Sequence, residues 1–357
     1  MNTELCQTYK RVGRYIMKKI TYIFIISILF SCGREKPYPN KISDFRSELQ
    51  NHLKKLASEK KLPSSDTIAR NYIKENCTKE ELLKLLNCED PILRVIAYRT
   101  LVNKNDKDYF KILLGHLNDT TKVTWWYYED ACDNFMVSDL LIRKAVDSRK
   151  LTQTEKNILI DSVLLKHTYL PNSIGMMMDI NPQEKYYSII KNQSSKSSDE
   201  CEKLAITFSL SKYKKENDVE YIKNNFKKFS ENPNCNNYIF KSFEEFPNKA
   251  FFPILVKFFN EEIKKKKQFG YDALKYYCRA IAKYKSKESL ELLTELLNKS
   301  NYPDSWYFEH NQEYVFRAIN LYKSPIYNEL NKKLKSKMSE YVIKSINNID
   351  YEDRKTW

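Results

Sequence analysis

Two short aromatic strings, 180 positions apart, are the residues best suited to contact a partner. The first is Trp126-Tyr127-Tyr128-Glu129, preceded by Trp125, and the second is Trp306-Tyr307-Phe308-Glu309. Trp and Tyr give a large contact area at low entropic cost, so they dominate binding hot spots. We therefore expect both strings to lie in loops between helices, where they anchor a peptide, protein or glycan on one rim. The alternative is that the rings fold back onto neighbouring helices and that each glutamate favours a helix dipole.

Residues suited to catalysis are scarce in this chain. Its five glycines are all isolated, which excludes the GxGxxG, Walker and GxSxG motifs of nucleotide-binding proteins and hydrolases. The four histidines also stand apart, at His52, His116, His167 and His310, and no HExxH motif is present. We expect a non-catalytic protein that holds no cofactor and no metal.

The net charge of +15 does not indicate a nucleic-acid partner. The lysines are spread over almost every segment as solvated helix faces, whereas a nucleic-acid-binding protein concentrates its basic residues in one patch or stripe. We expect no nucleic acid among the partners.

The N-terminal segment predicts export and a lipid anchor. Lys18 and Lys19 precede an apolar run over 20–30, which is too short for a transmembrane helix and suits a secretory signal. The run ends at Leu29-Phe30-Ser31-Cys32, which resembles the lipobox of bacterial lipoproteins. The resemblance implies cleavage after residue 31, a diacylated Cys32 and anchoring in a membrane of the cell envelope. Gly33, with no aspartate after the cysteine, favours the outer membrane.

The remaining cysteines leave the disulfide state open. Apart from Cys6 and Cys32, the cysteines are Cys77, Cys88, Cys132, Cys201, Cys235 and Cys278. Six cysteines in an exported protein allow disulfides with fifteen connectivities, and burial as small apolar residues is the alternative. No CxxC pair is present, so we expect no zinc site.

Helix signals dominate the chain after residue 40. Asp90-Pro91 places an N-cap before a proline at the first helical position, and Thr78 and Thr152 each begin a capping box with a glutamate three residues later. The residues Ile92, Val95, Ile96, Arg99 and Val102 recur at helical spacing.

A repeated pattern predicts how these helices are organised. Tyr213, Phe246, Tyr284 and Tyr322 occupy equivalent positions in similar segments, at steps of 33, 38 and 38 residues. Such a period indicates an α-solenoid, in which each repeat is a helix pair. The chain resembles a divergent HEAT-type or armadillo-like repeat protein, most clearly in the stretch DPILRVIAYRTL that begins at Asp90. The resemblance implies a curved superhelix with a binding surface.

We therefore predict an all-α fold, a superhelix of about seven to eight antiparallel helix pairs. The predicted organisation is a signal peptide at 1–31 with Met17 as an alternative start, a lipidated cysteine and tether at 32–40, a helical-repeat domain at 41–347 and a tail at 348–357.

Three functions are compatible with this organisation. The first is a membrane-anchored scaffold that binds a protein partner through the repeat groove and the two aromatic strings. The second is an immunity-type lipoprotein that inhibits a toxin. The third is a glycan-active α/α-toroid enzyme, whose acid and base candidates would be Glu129, Asp130, Glu309 and His310.

Overall fold

The computed structural model describes residues 38–127, 131–266, 271–298, 305–346 and 356–357. The described part of the chain is mostly helical, as predicted, with one small sheet. The chain divides into two compact units after Lys150. Within the described ranges, no helix combines the length and the apolar character needed to cross a membrane.

Unit 1, up to Lys150, contains six helices and three strands among its described residues. The helices are α1 (Ser47–Ser58), α2 (Thr67–Asn76), α3 (Lys79–Leu86), α4 (Pro91–Asn103), α5 (Tyr109–Gly115) and α6 (Val137–Asp147). The strands are β1 (Lys61–Leu62), β2 (Lys122–Trp126) and β3 (Cys132–Met136). The strand order is β1-β2-β3, with β1 parallel and β3 antiparallel to β2.

Helix α4 is the centre of unit 1, because it packs against α1, α2, α3, α5, α6 and β2. Its start is fixed as the sequence predicts: the Asp90 carboxylate accepts hydrogen bonds from the amides of Ile92 and Leu93, and Pro91 follows the cap. Burial on nearly all sides explains why its sequence is apolar around most of the helix.

Unit 2, from Leu151, consists of helices in its described part. They are α7 (Gln153–Lys166), α8 (Asn172–Asp179), α9 (Glu184–Lys196), α10 (Glu200–Ser211), α11 (Val219–Asn225), α12 (Asn237–Glu245), α13 (Phe252–Phe258), α14 (Tyr271–Lys283), α15 (Lys287–Glu295), α16 (Ser305–Leu321), α17 (Asn328–Lys335) and α18 (Glu340–Ser345). A π-helix, Phe259–Lys266, continues α13, and short 3₁₀ turns precede several of the helices.

Every second helix of unit 2 packs against the next in one row, α8-α10-α12-α14-α16. The repeated aromatic positions fall directly after four of these helices: Tyr213 after α10, Phe246 after α12, Tyr284 after α14 and Tyr322 after α16. The hydroxyl groups of two of the tyrosines donate to a backbone carbonyl in the turn after the previous helix of this row. Tyr213 donates to Gln183 and Tyr284 to Asn248, each at 2.9 Å. Two of the repeated positions therefore make the same hydrogen bond to a neighbouring turn.

A disulfide adds a covalent tie to unit 2. It joins Cys201 in α10 to Cys235 in the turn before α12. The cysteines Cys77, Cys88, Cys132 and Cys278 are free thiols, and all but Cys132 are buried. One pair of cysteines thus forms a disulfide, while three others are buried as small apolar residues.

Several lysines donate hydrogen bonds to backbone carbonyls at the C-terminal ends of helices. The Lys104 ammonium donates to the carbonyl of Cys77 at 2.9 Å, Lys150 to that of Val102 at 2.5 Å, and Lys212 to that of Met178 at 2.8 Å. Each of these carbonyls lies at or just beyond a helix C-terminus, where a cation also favours the helix dipole. Part of the large lysine content therefore has a structural explanation.

Candidate functional site

The first aromatic string lies in a β-hairpin. We predicted a loop here, and that prediction is wrong: Trp125 and Trp126 end β2, where they pair with Asp133 and Cys132 of β3. The β-branched and aromatic residues of β2 favour an extended strand, and β1 pairs along its other edge. The tryptophans are therefore held on a small sheet.

Trp125 and Trp126 project to opposite faces of this sheet, because side chains alternate along a strand. Trp125 faces α4, where the Arg99 guanidinium lies 5.0 Å from its ring centre. Trp126 is on the other face, under the Lys61 ammonium of β1 at 5.4 Å. The adjacent tryptophans therefore have different surroundings and can be tested separately.

Tyr127 is the most exposed aromatic residue described in the hairpin, with 44% of its surface accessible. Its amide donates to the carbonyl of Ala131 at 2.9 Å, and its ring meets the edge of Phe135 at 6.0 Å. Phe135 is covered by the guanidinium of Arg143 from α6 at 4.2 Å. The backbone and ring of Tyr127 are thus positioned while much of its side chain stays open to solvent.

The second aromatic string lies at the start of a helix. We predicted a loop over 306–309, but these residues belong to the first turns of α16. The side chains of Trp306, Tyr307, Phe308 and Glu309 lie outside the described part of the structure. The two similar strings therefore lie in different structures: Trp126 ends a strand in unit 1, whereas residues 306–309 lie near the start of a helix in unit 2.

Other predicted positions also fall outside the described residues, namely Cys32, Tyr128, Glu129 and Asp130. Of the acid and base candidates, His310 alone has a described side chain; it is half-buried in α16 and stacks against Tyr314, with ring centres 6.3 Å apart. No group of three or more His, Cys, Asp or Glu side chains that could hold a metal ion occurs among the residues that the structure describes.

A cavity of about 260 Å³ lies behind the hairpin. Trp125 and Leu62 form one wall, and the remaining sides come from the loop after β1, from α2 and from α4. Its lining residues are Leu62, Pro63, Ser64, Arg70, Asn71, Lys74, Ile96, Arg99, Thr100, Asn103 and Trp125.

The loop after β1 is held in place by a hydrogen-bond network around Glu59. The Glu59 carboxylate accepts from the Ser64 hydroxyl at 2.8 Å and from the amides of Ser65 and Asp66 at 2.7 and 2.9 Å. Burial raises the pKa of Glu59, but the hydrogen bonds from these residues outweigh burial and lower the pKa below its ordinary value. Asp66 then caps α2 through the Ala69 amide, which orients the helix that carries Arg70.

The part of this cavity that α2 contributes leaves no distinctive pattern in the sequence. Arg70, Asn71 and Lys74 share one face of α2, but their polar pattern looks like that of any solvated helix. One signal was present: Arg99 interrupts the apolar stripe of α4 with a charge. A charged residue at a core position indicates either a buried ion pair or a ligand.

A second cavity, of about 430 Å³, lies within unit 2 between α7, α8 and the start of α9. Its acidic residues are engaged: Asp161 pairs with Lys185 at 2.6 Å, and Asp179 accepts from the amide of Thr356 at 2.8 Å. Trp357 forms part of its wall. This cavity therefore offers no uncompensated charge of the kind found behind the hairpin.

No family model matches the chain, and no curated protein or solved structure is similar to it.

Proposed function

We propose that this protein is a lipid-anchored binding protein of the cell envelope that holds a protein partner without catalysis. The end of the hairpin, where Trp126 and Tyr127 are adjacent, is the contact surface in unit 1. The observation that carries this proposal is an exposed tyrosine next to a half-buried tryptophan, both fixed by a three-stranded sheet. Rigid aromatic side chains with a polar edge lose little entropy on binding, which is why they act as anchors.

Membrane attachment is proposed from the sequence at Cys32, which supplies the lipid anchor. The Cys201–Cys235 disulfide supports export, since disulfides persist in oxidising compartments and are rare in the cytosol. The outer membrane is the proposed destination.

We also propose that unit 2 is an α-solenoid that presents a groove and the second aromatic string to the partner. The row of alternate helices and the tyrosine ties between successive turns support this proposal. Trp306, Tyr307, Phe308 and Glu309 are the proposed contacts of unit 2.

The contact surface is tested by quantitative capture from cell envelopes with the full-length lipoprotein as bait. The variants are Trp126→Ala and Tyr127→Ala, and the matched control is Tyr341→Ala, which removes a tyrosine of unit 2 that is 77% exposed. We expect the hairpin variants to lose a partner that the wild type and Tyr341→Ala retain. Equal recovery by all four proteins, each shown to be folded, would contradict the hairpin assignment.

The anchor is tested separately by metabolic labelling with a radioactive or clickable fatty acid. Wild-type protein should incorporate the label and remain in the membrane fraction, whereas Cys32→Ser should do neither. Labelling that survives in Cys32→Ser would show that the anchor lies elsewhere.

A further inference from the structure

The described lining of the cavity behind the hairpin carries three positive charges and no negative one. Arg70 and Lys74 reach it from α2 and Arg99 from α4, and no Asp or Glu is among the described residues that line it. Its remaining polar walls are neutral, with Asn71, Thr100 and Asn103 among them. Such a composition is unusual for a partly enclosed space, because like charges repel and burial penalises each of them.

Arg70 and Arg99 are half-buried, and neither has a carboxylate partner in the part of the chain that the structure describes. Among the described residues, no carboxylate forms an ion pair with Arg70, Lys74 or Arg99. The Nε–H of Arg70 is buried and donates to no acceptor among the described residues. An unsatisfied donor in a buried position costs free energy, so a native protein retains one where a ligand or water satisfies it.

Arg99 is held by packing rather than by a counterion. Its guanidinium lies over the Trp125 ring, and Asp147 acts on it only from beyond ion-pair distance. Burial lowers the pKa of Arg99 below its ordinary value; the negative charge of Asp147 opposes this shift, and the positive charge of Arg70 adds to it. An arginine remains protonated under these conditions, so Arg99 keeps its positive charge without an ion-pair partner at contact distance among the described residues.

We propose that this cavity binds the oxyanion group of a small ligand, a carboxylate or a phosphate, between Arg70 and Arg99. The planar guanidinium matches both groups because it can donate two parallel hydrogen bonds, and Lys74 adds charge at the exposed rim. The volume of about 260 Å³ suits a head group or a small organic anion, since drug-sized ligands occupy about 300–1,000 Å³. This proposal does not depend on the hairpin's protein partner.

Calorimetric titration with inorganic phosphate and with succinate tests the site and distinguishes the two oxyanions. Ionic strength is held constant with sodium chloride, so that chloride measures the non-specific effect of salt. We expect saturable binding of phosphate or succinate with one site per chain. Binding of neither probe beyond the chloride background would overturn the proposal.

Variants locate the binding and separate it from folding. Arg70→Met and Arg99→Met should each weaken binding at least tenfold, whereas Arg143→Met, which removes an exposed arginine over Phe135, should leave the affinity unchanged. Without a probe anion, Arg70→Met should melt at the wild-type temperature or higher, because it removes an uncompensated charge. A lower melting temperature for Arg70→Met, or an equal loss of affinity in Arg143→Met, would show that Arg70 serves the fold or that binding is non-specific.

The anion-binding test does not depend on whether the hairpin binds a protein partner. Trp126→Ala changes the opposite face of the sheet and should retain the anion, and Arg70→Met should retain the captured partner. Loss of the partner only in Trp126→Ala and of the anion only in Arg70→Met would establish two separate sites.

Discussion

Charged residues are used differently in the two units. In unit 2, the buried Glu244 carboxylate accepts from Arg279 at 2.7 Å and from the Tyr322 hydroxyl, and the buried Asp218 pairs with Lys191 at 2.6 Å. In unit 1, the cavity behind the hairpin gathers three cations that pair with none of the described acids. Paired charges tie helices together, whereas unpaired ones around a cavity are available to a ligand.

Helix α4 contains one arginine with an ion-pair partner among the described residues and one without, five residues apart. Arg94 is buried and makes a bidentate pair with Asp119 through Nε and Nη2, at 2.7 and 3.1 Å, while its third nitrogen, Nη1, donates to the carbonyl of Cys88 at 2.7 Å. The ring of Tyr38 covers its guanidinium at 3.8 Å. Arg99, a little more than one turn later, has the Trp125 ring as its main neighbour. Arg94 is thus an internal control for Arg99.

The largest effect is expected from Arg94→Met. This change leaves the Asp119 carboxylate buried without its partner, so the free energy of unfolding should fall by about 3–5 kcal/mol. Urea denaturation of the variant and the wild type measures the difference. A loss below about 1 kcal/mol would mean that Asp119 is protonated or solvated in the variant, and the contrast between the two arginines would fail.

Removing the disulfide should have the second-largest effect on stability, and this effect should be confined to unit 2. The bond closes a loop with a sequence separation of 34, for which the chain-entropy relation gives about 3–4 kcal/mol. The double variant Cys201→Ser/Cys235→Ser should therefore unfold at a lower urea concentration. Hydrogen exchange should increase in α10 and α12 and stay unchanged in α4. Increased exchange in α4 would contradict a tie confined to unit 2.

Glu244→Gln tests the paired charges of unit 2 at similar side-chain volume. The amide cannot balance the charge of Arg279, so we expect a loss of about 1–3 kcal/mol. Thermal and urea denaturation should agree on this value. A stability equal to the wild type would show that Glu244 and Arg279 hold α12 and α14 together no better than neutral hydrogen bonds do.

Arg99→Met should have the smallest effect on stability. The variant loses a contact with Trp125 but also loses a charge that burial and Arg70 oppose, so its free energy of unfolding should lie within about 0.5 kcal/mol of the wild type. Urea denaturation alongside Arg94→Met gives the comparison directly. A loss comparable to that of Arg94→Met would place Arg99 among the structural residues.

Local features could be predicted from the sequence, because neighbouring residues determine them. The cap at Asp90 and the capping boxes at Thr78 and Thr152 are present as predicted. The repeated positions such as Tyr284 and Tyr322 do follow the ends of alternate helices, and two of the four, Tyr213 and Tyr284, make the same hydrogen bond to a backbone carbonyl.

Features that depend on distant pairing could not be predicted. The strand that holds Trp125 is completed by the pairing of Lys61 with Thr124, more than sixty residues apart in sequence. The cavity forms because tertiary packing brings Arg70 of α2 next to Arg99 of α4. Neither the pairing of β1 with β2 nor the packing of α2 against α4 produces a periodic pattern in the sequence. The sequence therefore indicated a loop where the structure has a hairpin.

Site-specific photo-crosslinking in living cells tests the proposed binding surface most directly. A photoreactive phenylalanine analogue replaces Tyr127 in one strain and Tyr341 in another, both exposed tyrosines, one in each unit. The proposal predicts a discrete adduct with one envelope protein from position 127, lost when Trp126 is also changed to alanine, and no such adduct from position 341. The absence of an adduct at 127, or the same adducts at both positions, would contradict the hairpin as the contact surface.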